Sequence, residues 1–526
     1  MNTTFPINLF EPVDAQDYWP HRLLHIPSMT SIVKRGDDSY PLSPGSAKLF
    51  RRPKYAVLSY TWGRFEKRSS TESDPRLKIH GLDWPVPAID SGHFTVQDFE
   101  GVFAVIRRTC DFVWVDIACI HQTDTILKMK EIGQQGKIFR RAAFPFIWLS
   151  QTSASKLSKI SLKLEAVIDL TETDYGPSHL QVLDEAQIAT EELLSDPWFT
   201  SLWTLQESQI QKAAKMLSSD ASVVVSNPLN VLVSLGMHYK QTTERVALAK
   251  VSKLVDTAHS TGYSDTETNP NYTYSASRFR KTSLEQDRIY AIMSLYNLRL
   301  RQAHHARDPY SYPMEELEYA FAAAVCRTNS QLALGFLHTV EPPRNRNWQL
   351  MHTSRFVSGT SLGSLAGVSS QQGAVDIVAS PYGFATFAGK ICALADFIRP
   401  SCWAQFDFDD HFLARHPTLQ QANKSDHKKW STNEEIRIID GETTNQLLEI
   451  FSVNRVFLLR LRRAYVWESD EQWESPCAVL LRTRTTGNQF VRVGLCFIGE
   501  LPHLGNQLGN SPVYRIPWKI TCGILL

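Results

Sequence analysis

The chain lacks any run of about eighteen apolar residues, the length a membrane-spanning helix needs, so the sequence predicts no span. It also lacks a charge excess, since 55 basic residues stand against 54 acidic ones. Binding to a nucleic-acid backbone draws on a strong basic surplus, and nucleic acid is therefore not an expected partner. Paired cysteines are missing too. The eight lie scattered at 110, 119, 326, 392, 402, 477, 496 and 522 with no CxxC, which argues against a disulfide framework or a zinc cage. His21 and His25 in HRLLHI have one-turn spacing, yet no downstream cluster completes them, and no metal site is expected. The N-terminal MNTTFPINLFEPVDAQDYWP carries no basic stretch followed by an apolar block, and the expected location is cytoplasmic.

What is present forms cores. Hydrophobic residues make up 43% of 526, enough for roughly two to four domains. YAVLSYTWG (55–63), FVWVDIACI (112–120) and AFPFIWLS (143–150) read as buried strands, with Pro145 near the start of the third, where a missing ladder donor is tolerated. Between the last two, Ile126, Met129, Ile132, Gly136 and Phe139 recur at helical spacing after a cap at Asp124. A strand, helix, strand unit of this kind makes a parallel sheet, whose ligand crevice lies beyond the carboxyl ends of its strands. The loop after Tyr60 and the segment after Asp116 fall there.

Residues 151–177 read as a polar insertion, and 178–194 and 197–213 as helices, the latter with Asp196 as cap and Pro197 in the first turn. On that continuous wheel Phe199, Leu202, Trp203 and Ile210 share an arc, and Glu207 falls just beyond its edge. KMLSSDASVVVSN reads as a hairpin. Helical pattern dominates 236–335, including SLEQDRIYAIMSLYNL, with an exposed loop at 261–275. After PPRNRN the texture turns to β-prone runs, with 403–436 as a loop. The expected division is 1–235, a helical region at 236–345 and a mainly β region at 346–526.

YAVLSYTWG, FVWVDIACIHQTD, KIFRRAAFPFIWLS and DPWFTSLWTLQE, in this order and spacing, resemble the heterokaryon incompatibility (HET) domain of filamentous fungi. The likeness covers about residues 50–235, and QDRIYAIMSL resembles a helix that often comes after this domain. The HET domain is similar to the Toll/interleukin receptor (TIR) domain, which implies a flavodoxin-like parallel sheet flanked by helices. Some members of that wider class cleave NAD at its nicotinamide glycosidic bond through a helical glutamate. In plant members the helix carries a tryptophan, a cysteine and a glutamate four places after the tryptophan; Trp203 and Glu207 have that spacing, and Thr204 stands where the cysteine would be.

The resemblance thus implies Glu207 as the catalytic carboxylate and NAD as substrate, with no cofactor or metal required. Nicotinamide leaves neutral, so no proton need be delivered to it; the charge that develops is positive and lies on the ribose, where one carboxylate can stabilise it. Trp203 would wall the pocket or stack on a base. Ser59, Tyr60, Trp62 and Gly63 would line the end of the first strand, and Asp116 the end of the second. Each residue has a packing reading beside this one. Trp62 and Trp203 fit core positions, Ser59 and Tyr60 can satisfy backbone groups, Gly63 can simply make the turn, and Asp116 can cap the turn after it.

Several residues depart from the family pattern. His121 stands where an acid or asparagine is usual, Phe139 replaces a tyrosine, and Ser201 stands where an arginine often precedes the tryptophan, with Arg64 as a substitute cation. Gly133 and Gly136 weaken a helix by about 1 kcal/mol each unless close packing uses them. Three functions are compatible with these residues. The first is an NAD-cleaving effector of fungal self/non-self recognition and cell death that self-associates when active. The second is a non-enzymatic signalling module that acts by homotypic or partner assembly. The third is a nucleotide sensor that binds without cleaving.

Overall fold

The computed structural model describes residues 4–13, 18–42, 48–61, 74–168, 177–211, 213–224, 228, 250, 253–254, 257, 270–301, 304, 308–328, 330–355, 360–361, 375–394, 402–416, 456–468, 471–483, 488–500 and 519–526, with backbone alone at 272, 331–332, 360–361, 402–407, 462–468, 471–477 and 497–500. The chain divides into two compact units. One comprises Glu11–Thr268 and Ala276–Tyr312, the other Met1–Phe10, Asn269–Ser275 and Pro313–Leu526.

The first unit is built on a six-stranded sheet: β1 (Arg22–His25), β2 (Thr30–Val33), β3 (Ala56–Ser59), β4 (Phe112–Trp114), β5 (Phe144–Trp148) and β6 (Lys215–Leu217). Their spatial order is β2-β1-β4-β3-β5-β6. The β1–β2 hairpin joins the edge antiparallel, with Leu24 opposite Val113, while β4, β3, β5 and β6 run parallel. β3 and β4 are buried throughout, as strands covered on both faces require. Helices supply the cover: α1 (Val96–Arg107), α2 (Asp116–Cys119), α3 (Thr125–Ile132), α4 (Gln135–Arg141), α5 (Ala154–Ile168), α6 (Pro177–Leu194), α7 (Pro197–Thr200) and α8 (Trp203–Ile210).

The expected strand, helix, strand unit is there, and Asp124 caps α3 by accepting from the Leu127 N–H. The helical stretch breaks at Gly133 into α3 and α4. Close packing uses Gly136, since a Cβ there would meet the Ser294 hydroxyl at 2.9 Å.

Other expectations need correction. The second strand ends at Trp114, and Asp116 opens a helical turn because its own carboxylate accepts from the Ile117 N–H at 2.7 Å. Residues 154–168 form a helix, because Leu157, Ile160, Leu164 and Val167 recur at helical spacing and bury against Leu183, Ala186, Ala189 and Leu193 of α6. SLEQDRIYAIMSLYNL is no single helix. It makes a turn at Asp287–Tyr290 and another at Met293–Tyr296, ended by Asn297 in the left-handed conformation, then a strand at Leu298–Leu300. Pro270–Ser277 is helical where a loop was expected, and 261–269 lie outside the described residues. At KMLSSDASVVVSN the expected hairpin is present in short form, with Leu217 opposite Val223 and the Ser218 and Val224 N–H groups donating to Ser222 and Met216, while 225–227 lie outside the described residues.

The second unit is sheet-rich, as the texture after residue 347 predicts. Its core is β7 (Ala385–Ala393), β8 (Val456–Glu468), β9 (Glu471–Thr483), β10 (Gln489–Glu500) and β11 (Lys519–Leu525). β8, β9 and β10 succeed one another antiparallel; β11 lies parallel to β10 and antiparallel to β7, and β7 pairs with β8. The five close into a ring. Gly523 lets them approach, for a Cβ there would stand 2.6 Å from the Phe387 ring. Residues 402–408 add a strand to β10 and Asp410–Arg415 form a helix, so the expected loop at 403–436 holds at neither place; 417–436 lie outside the described residues. Within this unit Arg492 and Asp409 form a fully buried ion pair at 2.9 Å.

Candidate functional site

The order β4-β3-β5-β6 places the first parallel strand, β3, between the second and the third, so the crossover direction reverses at its two sides. Open parallel sheets bind ligands at such a point, beyond the carboxyl ends of the strands. Ser59 is the last residue of β3, Tyr60 is next to it, and Asp116 lies two residues beyond β4. The Tyr60 hydroxyl donates to Asp116 at 2.8 Å, so the two strand ends are tied through their side chains.

α8 delivers Glu207 to the same place. The continuous wheel put this residue at the edge of an apolar arc, but the helix does not run through. Ser201 is extended, and Lys281 inserts as a β-bridge partner, donating its N–H to Thr200 and accepting from Leu202. The wheel restarts at Trp203, and Glu207 is buried, with 9% of its surface exposed. Gln135 of α4, 4% exposed, donates through Nε2 to one Glu207 oxygen at 3.0 Å. Ser59 lies close enough to favour the charged carboxylate. Behind it, the Trp198 indole N–H donates to Ser59 Oγ at 2.8 Å. The second oxygen of Glu207 and the amide oxygen of Gln135 have no hydrogen-bond partner among the described residues.

The electrostatics derive from that burial. Desolvation holds the Glu207 carboxyl well above its usual range, and the neighbouring Asp116 carboxylate adds to the rise, against opposing hydrogen bonds from Ser59 and Gln135. The Tyr60 phenol is raised by burial first and then by Asp116. The result is a cluster at the strand ends in which a buried carboxyl, a buried phenol and a half-buried carboxyl face one another. Chemically, it can stabilise positive charge or accept hydrogen bonds from a bound hydroxyl.

Of the site residues expected from sequence, Ser59, Tyr60, Asp116 and Glu207 come together. Trp203 does not join them through its polar atom. Its indole N–H donates at 3.3 Å to Asp287, whose carboxyl also accepts from Thr282 at 2.8 Å and Tyr310 at 3.1 Å. Burial raises the Asp287 carboxyl as well. Trp62, Gly63 and Arg64 lie outside the described residues. Near Ser201 a different cation is present, for the buried Arg280 guanidinium donates to the carbonyls of Trp198 at 3.1 Å and Ser201 at 3.3 Å. Thr204, in the place of a cysteine, donates to the Trp198 carbonyl. His121 accepts from the Asp124 N–H and packs against Trp84, and Phe139 packs edge-on against Trp114.

Sequence reasoning missed Gln135, Trp198 and Asp287. Trp198 belongs to the quoted DPW run, and Gln135 comes just after the glycine that breaks the helix, so both carried a signal. Asp287 carried none, because its role depends on a contact with a residue 84 positions away. Asp196 keeps its expected cap on Trp198 and also accepts from Gln151 and Thr152, which fixes α7 to the end of β5.

A buried glutamate beside Asp116 at the strand ends of a helix-flanked sheet marks the candidate site of an α/β unit. Residues 55–207 match the family model described as heterokaryon incompatibility protein (HET), a stretch that begins one residue before β3 and ends on Glu207 itself. No curated protein and no solved structure matches the chain. Among the described residues no helix is long and apolar enough to cross a membrane, and no three or more His, Cys, Asp or Glu side chains gather to hold a metal ion.

Proposed function

We propose that the chain is a cytoplasmic effector of fungal self/non-self recognition whose α/β unit cleaves NAD at the nicotinamide–ribose bond. One observation carries this reading: the unpartnered, buried carboxyl oxygen of Glu207 beside Asp116 at the strand ends. In the reaction the glycosidic bond breaks and its electron pair goes to nicotinamide, which leaves neutral. Positive charge then grows on the ribose, and Glu207 stabilises it before water adds and releases a proton. A cationic substrate also draws Glu207 into its ionised form, because the charge it brings opposes the desolvation that keeps the carboxyl protonated. The strand order, second-first-third-fourth among the parallel strands, supports a flavodoxin-like, TIR-like reading of the sheet.

The test is chromatography of nicotinamide released from NAD, with wild-type protein clustered through a fused oligomerisation tag beside Glu207→Ala. Release by wild type and a loss of about a hundredfold or more in the variant supports the reading; release that survives Glu207→Ala removes Glu207 from the chemistry. A second reading, assembly without catalysis, draws on the Trp203 indole being turned to Asp287, away from the carboxyl cluster. It predicts no nicotinamide from a clustered, folded protein and a cell-death output that survives Glu207→Ala.

A further inference from the structure

The two atoms without partners, the amide oxygen of Gln135 and the outer oxygen of Glu207, belong to side chains already joined by a 3.0 Å hydrogen bond. That bond fixes the carboxamide and the carboxyl as one unit, which presents two acceptors once a cationic substrate has drawn Glu207 into its ionised form. Both side chains are more than nine-tenths buried, and a buried acceptor left unmet is unfavourable. No described residue donates to either atom, and a bound molecule can supply both donors. Among the described residues no cationic side chain contributes to the surroundings of Glu207, whose perturbing neighbours are Ser59, Asp116 and Gln135. A metal ion is not suited either, since among the described residues no group of three ligating side chains forms. Two neighbouring hydroxyls on one ring supply two donors at once.

We propose that Gln135 and Glu207 form a two-oxygen receptor for a vicinal diol, and that Gln135 is the residue that makes the site demand an intact ribose. This rests on the NAD-cleaving reading and names which part of that substrate the second acceptor holds. Gln135 has two tasks. Its amide N–H holds the inner oxygen of Glu207, which aims the outer one, and its own oxygen accepts from the second hydroxyl. Gly136 serves the same end, because a side chain there would meet Ser294 and push α4, with Gln135, away from the Met293–Tyr296 turn.

The experiment compares NAD with its analogue lacking the 2′-hydroxyl of the nicotinamide ribose, using clustered full-length protein, wild type and Gln135→Met. Methionine keeps the length of the side chain and removes both donor and acceptor. The intrinsic reactivity of the two substrates differs, but it cancels when the preference of the variant is divided by that of wild type. The expected result is a KM for NAD raised about tenfold with kcat changed less, and a preference for the intact diol reduced by about tenfold. If wild type cleaves NAD and Gln135→Met keeps the wild-type preference, the receptor is wrong while the proposed function stands. If folded, clustered wild type neither binds nor cleaves NAD, the proposed function falls and the receptor with it. Gln135→Asn, which retains the amide but withdraws it by one methylene, gives the same reading should the methionine variant fail to fold; circular dichroism establishes which variant is used.

Discussion

The Trp198 indole N–H donates to Ser59 Oγ at 2.8 Å across 139 residues of sequence, and both groups are buried. This bond ties the helix start at Asp196–Pro197 to the end of the first parallel strand. It also leaves the Ser59 hydroxyl proton free to face Glu207, because the serine oxygen is the acceptor toward the indole.

Trp198→Phe removes that donor and some ring volume. The expected loss in unfolding free energy is about 2 kcal/mol, read from denaturant titration, with nicotinamide release reduced because Ser59 is no longer oriented. An unchanged midpoint would show that the indole bond contributes nothing net.

Glu207→Gln is expected to stabilise the fold. The native carboxyl keeps its proton at pH values where the unfolded chain has lost it, so the native state binds more protons across that interval, and stability falls as pH rises through it. Glutamine carries no such penalty. The variant should melt above wild type at pH 7 to 8, and the gain should vanish below the ordinary carboxylate range, where both states are protonated. A gain independent of pH would contradict the buried-charge account.

Gly136→Ala adds a Cβ that meets Ser294 Oγ at 2.9 Å and Ser294 Cβ at 3.1 Å. Helix propensity favours alanine by about 1 kcal/mol, but overpacking costs about 1–3 kcal/mol, so a net destabilisation is expected. Pairing it with Ser294→Gly should restore part of the loss, measured by thermal melts of the two singles and the double.

His338 in the barrel unit is fully buried, and burial lowers its pKa to about 4. A base whose native pKa is depressed takes up its proton in the unfolded chain first. Stability from this group is complete above pH 6.5 and is lost as pH falls toward 4, by up to about 3 kcal/mol. His338→Gln should flatten that limb of a stability-versus-pH curve; an equally steep curve would assign the acid loss to other groups.

The parallel strands were legible because an unbroken apolar run bounded by a turn has few other uses, and the Asp124 and Asp196 caps were legible because capping is local chemistry. The position of Glu207 was not. A helical wheel assumes continuity, and here Lys281, some eighty residues downstream, interrupts it at Ser201. Residues 154–168 were misread for the opposite reason: lysines and serines between the apolar positions hid a regular period. Gln135 and Asp287 matter only through distant partners, which composition and spacing do not encode.

The ring of the second unit closes through Lys519–Leu525, which lies between β10 and β7. During synthesis those residues emerge after the last residue of the α/β unit, Tyr312, by some two hundred positions. At roughly 5–20 residues per second, that interval lasts on the order of ten to forty seconds. Through it, the α/β unit that carries Glu207 has its complete sequence available while the barrel is still short of the strand that makes it a barrel. On the ribosome, the carboxyl site is therefore the older of the chain's two structures.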